Sequence, residues 1–214
     1  MLKRGLSASI PIMIGYLPVS ITFGITALTL GFNKLETILA SALIFAGASQ
    51  FALISLLPIS FTEAVVIPVF LNLRHIVYSY ITSRRIKPRK PFLLSFGLTD
   101  EVFARSLNSP KNEKFILGLE LGSYLAWVGG TVMGVFFGAV LLSTEVLTPS
   151  LVFSLTALFF VLLIPNLKEK RLLSAIIGGT IALTLHLTGY TSAGILIAGI
   201  ATPLILKGAK KVRR

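Results

Sequence analysis

The stretch FILGLELGSYLAWVGGTVMGVFFGAVLL, Phe115 to Leu142, decides the fold. It carries one charge, Glu120, and as a helix rising about 1.5 Å per residue it reaches roughly 40 Å, more than the roughly 30 Å hydrocarbon core of a bilayer. It shows none of the period-two alternation that a strand of a membrane barrel needs. Working outward, six further apolar segments fall at Ile10–Leu30, Leu35–Leu57 (stopped by Pro58), Phe61–Ser83, Leu151–Ile164 (stopped by Pro165), Leu172–Leu187 and Ser192–Leu206. A polar stretch, 84–114, separates the third segment from Phe115–Leu142. The chain reads as an all-α polytopic membrane protein with about seven transmembrane helices in a single transmembrane domain over 1–214. The last three segments are short for a full crossing. The N-terminal apolar run continues past the length of a signal sequence and reads as a retained first span.

Composition agrees. Of 214 residues, 54% are hydrophobic and 13% charged, where a soluble domain carries about 25% charged residues. The net charge of +12 would point to nucleic acid in a soluble protein. Here it reads as the basic residues that membrane proteins retain on the cytoplasmic side, so no nucleic-acid partner is expected, only membrane lipids. Cysteine is absent and the two histidines, His75 and His186, lie far apart, so neither a disulfide nor a metal site is expected. No phosphate-binding or dinucleotide-binding glycine motif occurs, and no nucleophile–base pair, so neither a cofactor nor an enzyme activity is expected.

Lys and Arg collect in 84–114 (Arg84, Arg85, Lys87, Arg89, Lys90, Arg105, Lys111, Lys114), in the link at Lys168, Lys170 and Arg171, and in the C-terminal tail. Seven spans put these on one face, which places the C-terminus in the cytoplasm and the N-terminus, with Lys3 and Arg4, outside. If Leu35–Leu57 is re-entrant instead, the N-terminus changes sides. A shift of 107 residues superposes Gly15 on Gly122, Gly31 on Gly138 and Pro58 on Pro165. With three helices each, the halves 10–83 and 115–187 would be inverted repeats followed by an extra helix, 192–206, an arrangement that holds substrate near the midplane.

Four groups of residues carry candidate chemistry. Arg74 lies inside a span, where a charge costs at least about 2.5–3.5 kcal/mol; with Asn72 and His75 it puts an amide, a fixed cation and a titratable ring within four residues. The other reading of Arg74, escape to the interface, must cover about 15 Å of helix. Gly47-Ala48-Ser49-Gln50 reads either as an unwound segment offering backbone groups to a polar substrate or as close helix packing, with Gln50 bonding a neighbour. Gly15-Tyr16-Leu17-Pro18 puts a proline in the first span, which frees a carbonyl and kinks the helix. Thr99-Asp100-Glu101 reads as a capped short helix, tucked back toward the bundle, whose acids gate or relay protons, or as a solvated cap alone. Trp127, in mid-span, reads as packing or a pocket wall, and Glu120 is expected to pair with a basic neighbour.

The motifs Gly47-Ala48-Ser49-Gln50-Phe51, Asn72-Leu73-Arg74-His75 and Thr99-Asp100-Glu101, in this order and spacing, resemble the AzlC-type large subunit of branched-chain amino-acid exporters. The resemblance implies export of leucine, isoleucine and valine, with methionine in some members. It also implies drive by the proton gradient or membrane potential, a small AzlD-type membrane partner, and residence in the cell membrane. Gly47, Ser49, Gln50, Asn72, Arg74, Tyr16 and Trp127 would then bind substrate, and His75, Asp100 and Glu101 would couple or gate. A zwitterion needs an anion partner such as Arg74 and an ammonium partner such as Asp100, Glu101 or backbone carbonyls; Phe51, Phe70 and Trp127 could wall the side-chain pocket. The competing readings are a membrane scaffold or assembly subunit, and a channel, for which the polar lining is sparse.

Overall fold

The computed structural model describes residues 1–142, 169–189 and 191–212. The expected helix at 151–164 with its Pro165 stop lies outside these, as do Lys168, Arg213 and Arg214. Among the described residues all regular structure is helical: α1 (Leu2–Ala8), α2 (Ile10–Thr29), α3 (Lys34–Ile44), α4 (Gly47–Leu56), α5 (Phe61–Asn72), α6 (Arg74–Ile86), α7 (Pro91–Gly97), α8 (Asp100–Leu107), α9 (Glu113–Leu142), α10 (Glu169–Leu187) and α11 (Thr191–Val212). Among the described residues three stretches are long and apolar enough to cross a bilayer: Ile10–Thr29, Phe61–Ile86 and Glu113–Gly138. The protein is an all-α polytopic membrane protein. Its chain forms two compact units, Met1–Leu158 and Phe159–Arg214. In the second, α10 and α11 form a hairpin closed near Gly189, whose φ of 87° suits only glycine. Gly194 faces Leu185, leaving no room for a side chain.

In the first unit, α1 and α2 lie along α9. Ser9 sits at Gly122, Ser20 at Gly130, Ile21 at Gly134 and Ile25 at Gly138. A Cβ on Gly24 would stand 2.5 Å from the Thr131 carbonyl, and one on Gly134 2.3 Å from that of Ile21; bare backbone is what lets helices without a hydrophobic driving force pack this closely. The numbers rise together, so α2 and α9 run in the same direction. These are the helices that the 107-residue shift superposes, and an inverted relation between them is thereby excluded.

The reason lies in the second apolar segment. It is not one span. α3 ends at Phe45, which takes the left-handed conformation (φ 39°), Ala46 is extended, and α4 turns back. Leu57 and Pro58 return beside Leu30, Phe32 and Glu36. Each arm, of 11 and 10 residues, spans about 15 Å, half the hydrocarbon core. The strain at Phe45 is held by its buried ring, packed on Tyr16, Tyr124 and Phe96 with centroids 6.4, 5.1 and 6.0 Å apart. The carbonyls freed at the break are met by side chains: Gln50 Nε2 donates to those of Ala40 (3.1 Å) and Ser41 (3.2 Å), and the Tyr124 hydroxyl to that of Ala42 (3.1 Å).

Because this hairpin does not cross, the N-terminus changes sides relative to the seven-span expectation. Gly5 packs on the Phe115 carbonyl and Gly118 on that of Leu2, and Arg4 and Arg105 line one crevice. Lys3 and Arg4 therefore share the basic end with Arg84–Lys114, and Lys34 lies at the opposite end. The polar stretch 84–114 is a second hairpin, entering from the basic end. The amides of Arg89 and Lys90 donate to Glu113 at 3.1 and 3.0 Å, α7 runs inward, the chain turns at Leu98–Thr99, and α8 returns. Arg85 closes its far end by donating to the carbonyls of Ser106 and, at 2.7 Å, Ser109. Two hairpins thus enter from opposite ends, and their tips approach beside Tyr16 on α2. Pro18 does not interrupt α2.

Candidate functional site

The site is built where the tips meet the middle of the Phe61–Ile86 span. That span tightens at Leu73, where Leu73 N donates to Phe70 O and Ile76 N to Leu73 O. Arg74 opens α6, about 18 Å of helix from Ile86. Its Nη1 stands 2.7 Å from Asp100 Oδ2, the ion pair of the described residues, with the side chains 33% and 24% exposed. Tyr78, one turn beyond Arg74, donates to Asp100. Its ring stacks on Phe103 at 4.3 Å, and His75 meets its edge at 5.8 Å. Arg74 Nε is buried without a hydrogen-bond partner among the described residues.

Glu101 lies next to Asp100 but faces the other way. Its buried carboxylate accepts from the Tyr16 hydroxyl, whose oxygen is 2.7 Å from Thr99 Oγ1. Burial pushes the Glu101 carboxyl above the ordinary carboxylate range, and the Tyr16 hydrogen bond works against that shift. Thr99 Oγ1 also accepts from Val102 N, the expected N-cap of a short helix tucked into the bundle. The capping and the buried acid therefore coexist.

Asn72 and His75 go to different neighbours, Asn72 to Ser49 and His75 to Tyr78. Ser49 donates to Asn72 Oδ1 at 2.7 Å. Trp127 Nε1 donates to Gln50 Oε1 at 2.9 Å, and a Cβ on Gly47 would stand 2.7 Å from the Trp127 ring. Trp127 meets Tyr16 edge-on at 5.1 Å, so Tyr16 touches both the Gln50 clasp and the acidic tip. Phe51 packs on Phe23. Phe70 is 54% exposed and walls nothing. Among the described residues Glu120 does not find the expected basic neighbour: its Oε1 is buried and unpartnered. Tyr78, Phe45, Tyr124 and Arg85 carry parts of the arrangement that sequence reasoning passed over. Tyr78 was within reach, standing four residues after Arg74 and so on its face.

The comparisons with known proteins divide the chain between 141 and 146, ahead of the boundary of the compact units after Leu158. The sequence pattern of the AzlC protein family matches residues 11–141, and that of the MJ1155 family residues 146–213. An uncharacterized membrane protein of Archaeoglobus fulgidus is 55% identical over 96% of this chain and 94% of its own length. A branched-chain amino acid transport protein, AzlC, of Bacillus subtilis is 35% identical over 79% of this chain and 70% of its own. An uncharacterized protein of Methanocaldococcus jannaschii is 56% identical over 32% of this chain, which is 94% of that protein. No solved structure matches. With the family pattern covering more than half of the chain, the chain belongs to the AzlC protein family.

Proposed function

We propose that the protein is the large subunit of a secondary transporter that exports branched-chain amino acids (leucine, isoleucine, valine and, by similar size, methionine) across the cell membrane. The observation that carries the reading is Arg74, a membrane-embedded cation that Asp100 only partly satisfies, with Nε left buried and unpartnered. A substrate carboxylate supplies the missing acceptor and competes with Asp100. Released Asp100, at the start of α8 and bonded to Tyr78, is then placed to receive the substrate ammonium. Ser49 and Asn72 offer further polar atoms from α4 and α5. Gly47, Gln50 and Trp127 hold the opposing tip, and Tyr16 joins the two tips. His75 and Glu101 belong to the coupling machinery. A methylene difference changes binding by only about 1–3 kcal/mol, so discrimination within this substrate class is loose.

The name of the Bacillus relative, a branched-chain amino acid transport protein, supports the substrate class. The basic end faces the cytoplasm by the positive-inside rule, and the basic C-terminal tail is assigned there too. The Phe61–Ile86 span has 11% of its apolar window buried, against 44% and 61% in the other two. That open face supports docking of a small AzlD-type membrane partner. The proton gradient or the membrane potential supplies the energy. The test is leucine efflux from preloaded cells expressing both subunits: Arg74→Ala at normal abundance loses efflux, and a wild-type rate in that variant refutes the reading.

A further inference from the structure

Glu120 takes no part in the site above, yet among the described residues it is a buried acid whose Oε1 has no partner. It lies seven residues into α9 from Glu113, about 10 Å of helix from the basic end. It is 5% exposed and its Oε1 has no partner among the described residues. It borders a cavity of about 360 Å³ walled by Leu2, Leu93, Phe96, Leu117 and Leu121. Three elements pack around it. α1 offers Leu2, while Lys3 and Arg4 are exposed. α7 offers Leu93, Phe96 and Gly97. Its own helix offers Tyr124, whose hydroxyl is committed to the Ala42 carbonyl, and Glu113, which is committed to the Arg89 and Lys90 amides. No cation faces it. An ionised carboxylate without a partner is strongly unfavourable in such surroundings, so in this conformation Glu120 holds a proton.

What seals it is the basic-end hairpin. A Cβ on Gly97 would stand 2.6 Å from Cβ, Cγ and Cδ of Glu120. The α7 backbone therefore lies directly on the acid, three residues before Asp100, the hairpin's anchor to Arg74. We infer that Glu120 is the proton-exchange site of the transport cycle, sealed by α7 while Asp100 is paired with Arg74 and opened to water at the basic end when substrate displaces Asp100. The inference rests on the transporter reading above. It also gives that reading a sense of coupling. Substrate arrives from the basic end as the Glu120 O–H bond breaks and its proton passes to water at that same end, which is an antiport.

The test uses the complex in proteoliposomes with two readouts, leucine counterflow without a pH gradient and leucine accumulation driven by one. Wild-type counterflow tests the transporter reading by itself. Glu120→Gln, which keeps the side chain's shape, is expected to keep counterflow and lose the gradient-driven accumulation, which falls to the level seen without a gradient. Undiminished accumulation in Glu120→Gln overturns the inference, and so does loss of counterflow at normal abundance, which would make Glu120 part of the binding site. If the variant does not accumulate in cells, the wild-type complex decides. Leucine added to it in weakly buffered detergent releases protons, and dicyclohexylcarbodiimide, which adds to protonated carboxyls in apolar surroundings, labels Glu120 and abolishes that release. Proton release that persists after stoichiometric labelling of Glu120, or labelling that spares Glu120, refutes the proposal.

Discussion

Replacing Gln50 by leucine tests whether the opposing hairpin tip is held by a side-chain clasp. Gln50 accepts from Trp127 Nε1 at 2.9 Å and donates to the carbonyls of Ala40 and Ser41. Gln50→Leu strands the Trp127 N–H and the Ser41 carbonyl. At about 1–3 kcal/mol for each buried unsatisfied group, the loss is about 2–6 kcal/mol. Trp127→Phe strands Gln50 Oε1 and opens space beside Gly47 and Tyr16, for about 2–4 kcal/mol. The double variant strands neither end of the Trp127–Gln50 bond, so its cost falls below the sum of the single costs by about 2–4 kcal/mol. The assay is unfolding of the purified protein by SDS titration in mild detergent, run beside leucine binding. Leucine affinity should hold in Gln50→Leu wherever the protein is still folded. Additive single costs, or lost leucine binding at unchanged stability, would refute the clasp and make Gln50 a ligand.

Other outcomes follow from the same geometry. Lys3→Cys and Pro88→Cys should react with an impermeant thiol reagent from one face and Gly31→Cys from the other; labelling of positions 3 and 88 from opposite faces would remove the re-entrant hairpin. Arg74→Lys loses the Nε donor and the planar fork, so leucine binding should weaken by the roughly ten- to hundredfold that a charged hydrogen bond of about 1.5–3 kcal/mol implies, read as leucine affinity at equal abundance. Glu101 has its carboxyl raised on folding. Its contribution to stability is full below the ordinary carboxylate range and is lost as pH rises through the raised value, so Glu101→Gln should flatten the fall in stability over that window in a pH series of melts. Finally, the chain divided between 142 and 146, the interval between the two family patterns, should restore efflux when both pieces are co-expressed, because a separate protein corresponding to the second piece exists in a relative.

Helix content, the Pro58 stop, the cap at Thr99 and the position of Arg74 inside a span were all legible, because hydropathy, proline and capping chemistry act locally. The two hairpin tips were not. Leu35–Leu57 has the length and apolarity of a span, and nothing local distinguishes it from one. Its break depends on Phe45 finding the rings of Tyr16, Tyr124 and Phe96, and on Gln50 and Tyr124 reaching carbonyls that a continuous helix would have satisfied. Each is a long-range contact. The direction of α9 relative to α2, and the side of the N-terminus, followed from that one break. A sequence clue did exist: Lys3 and Arg4 sat on the wrong side of a seven-span chain.

The polar inventory of the bundle also separates structure from function. Backbone exposed at a hairpin tip must be satisfied by protein in a medium without water. Gln50, Tyr124, Thr99 and Arg85 do that, and each is already bonded to backbone. Three buried side-chain atoms among the described residues remain without partners: Arg74 Nε, Thr82 Oγ1 and Glu120 Oε1. Two of the three belong to ionisable groups, one a donor and one an acceptor, and both touch the basic-end hairpin, Arg74 through Asp100 and Glu120 through Gly97. A fold stabilised for its own sake would pair such groups or replace them, since unpaired buried charge is the most expensive polar feature a protein carries. Under the proposed transport reading, an unmatched donor and an unmatched acceptor that both touch one hairpin are what an exchange of substrate for a proton requires.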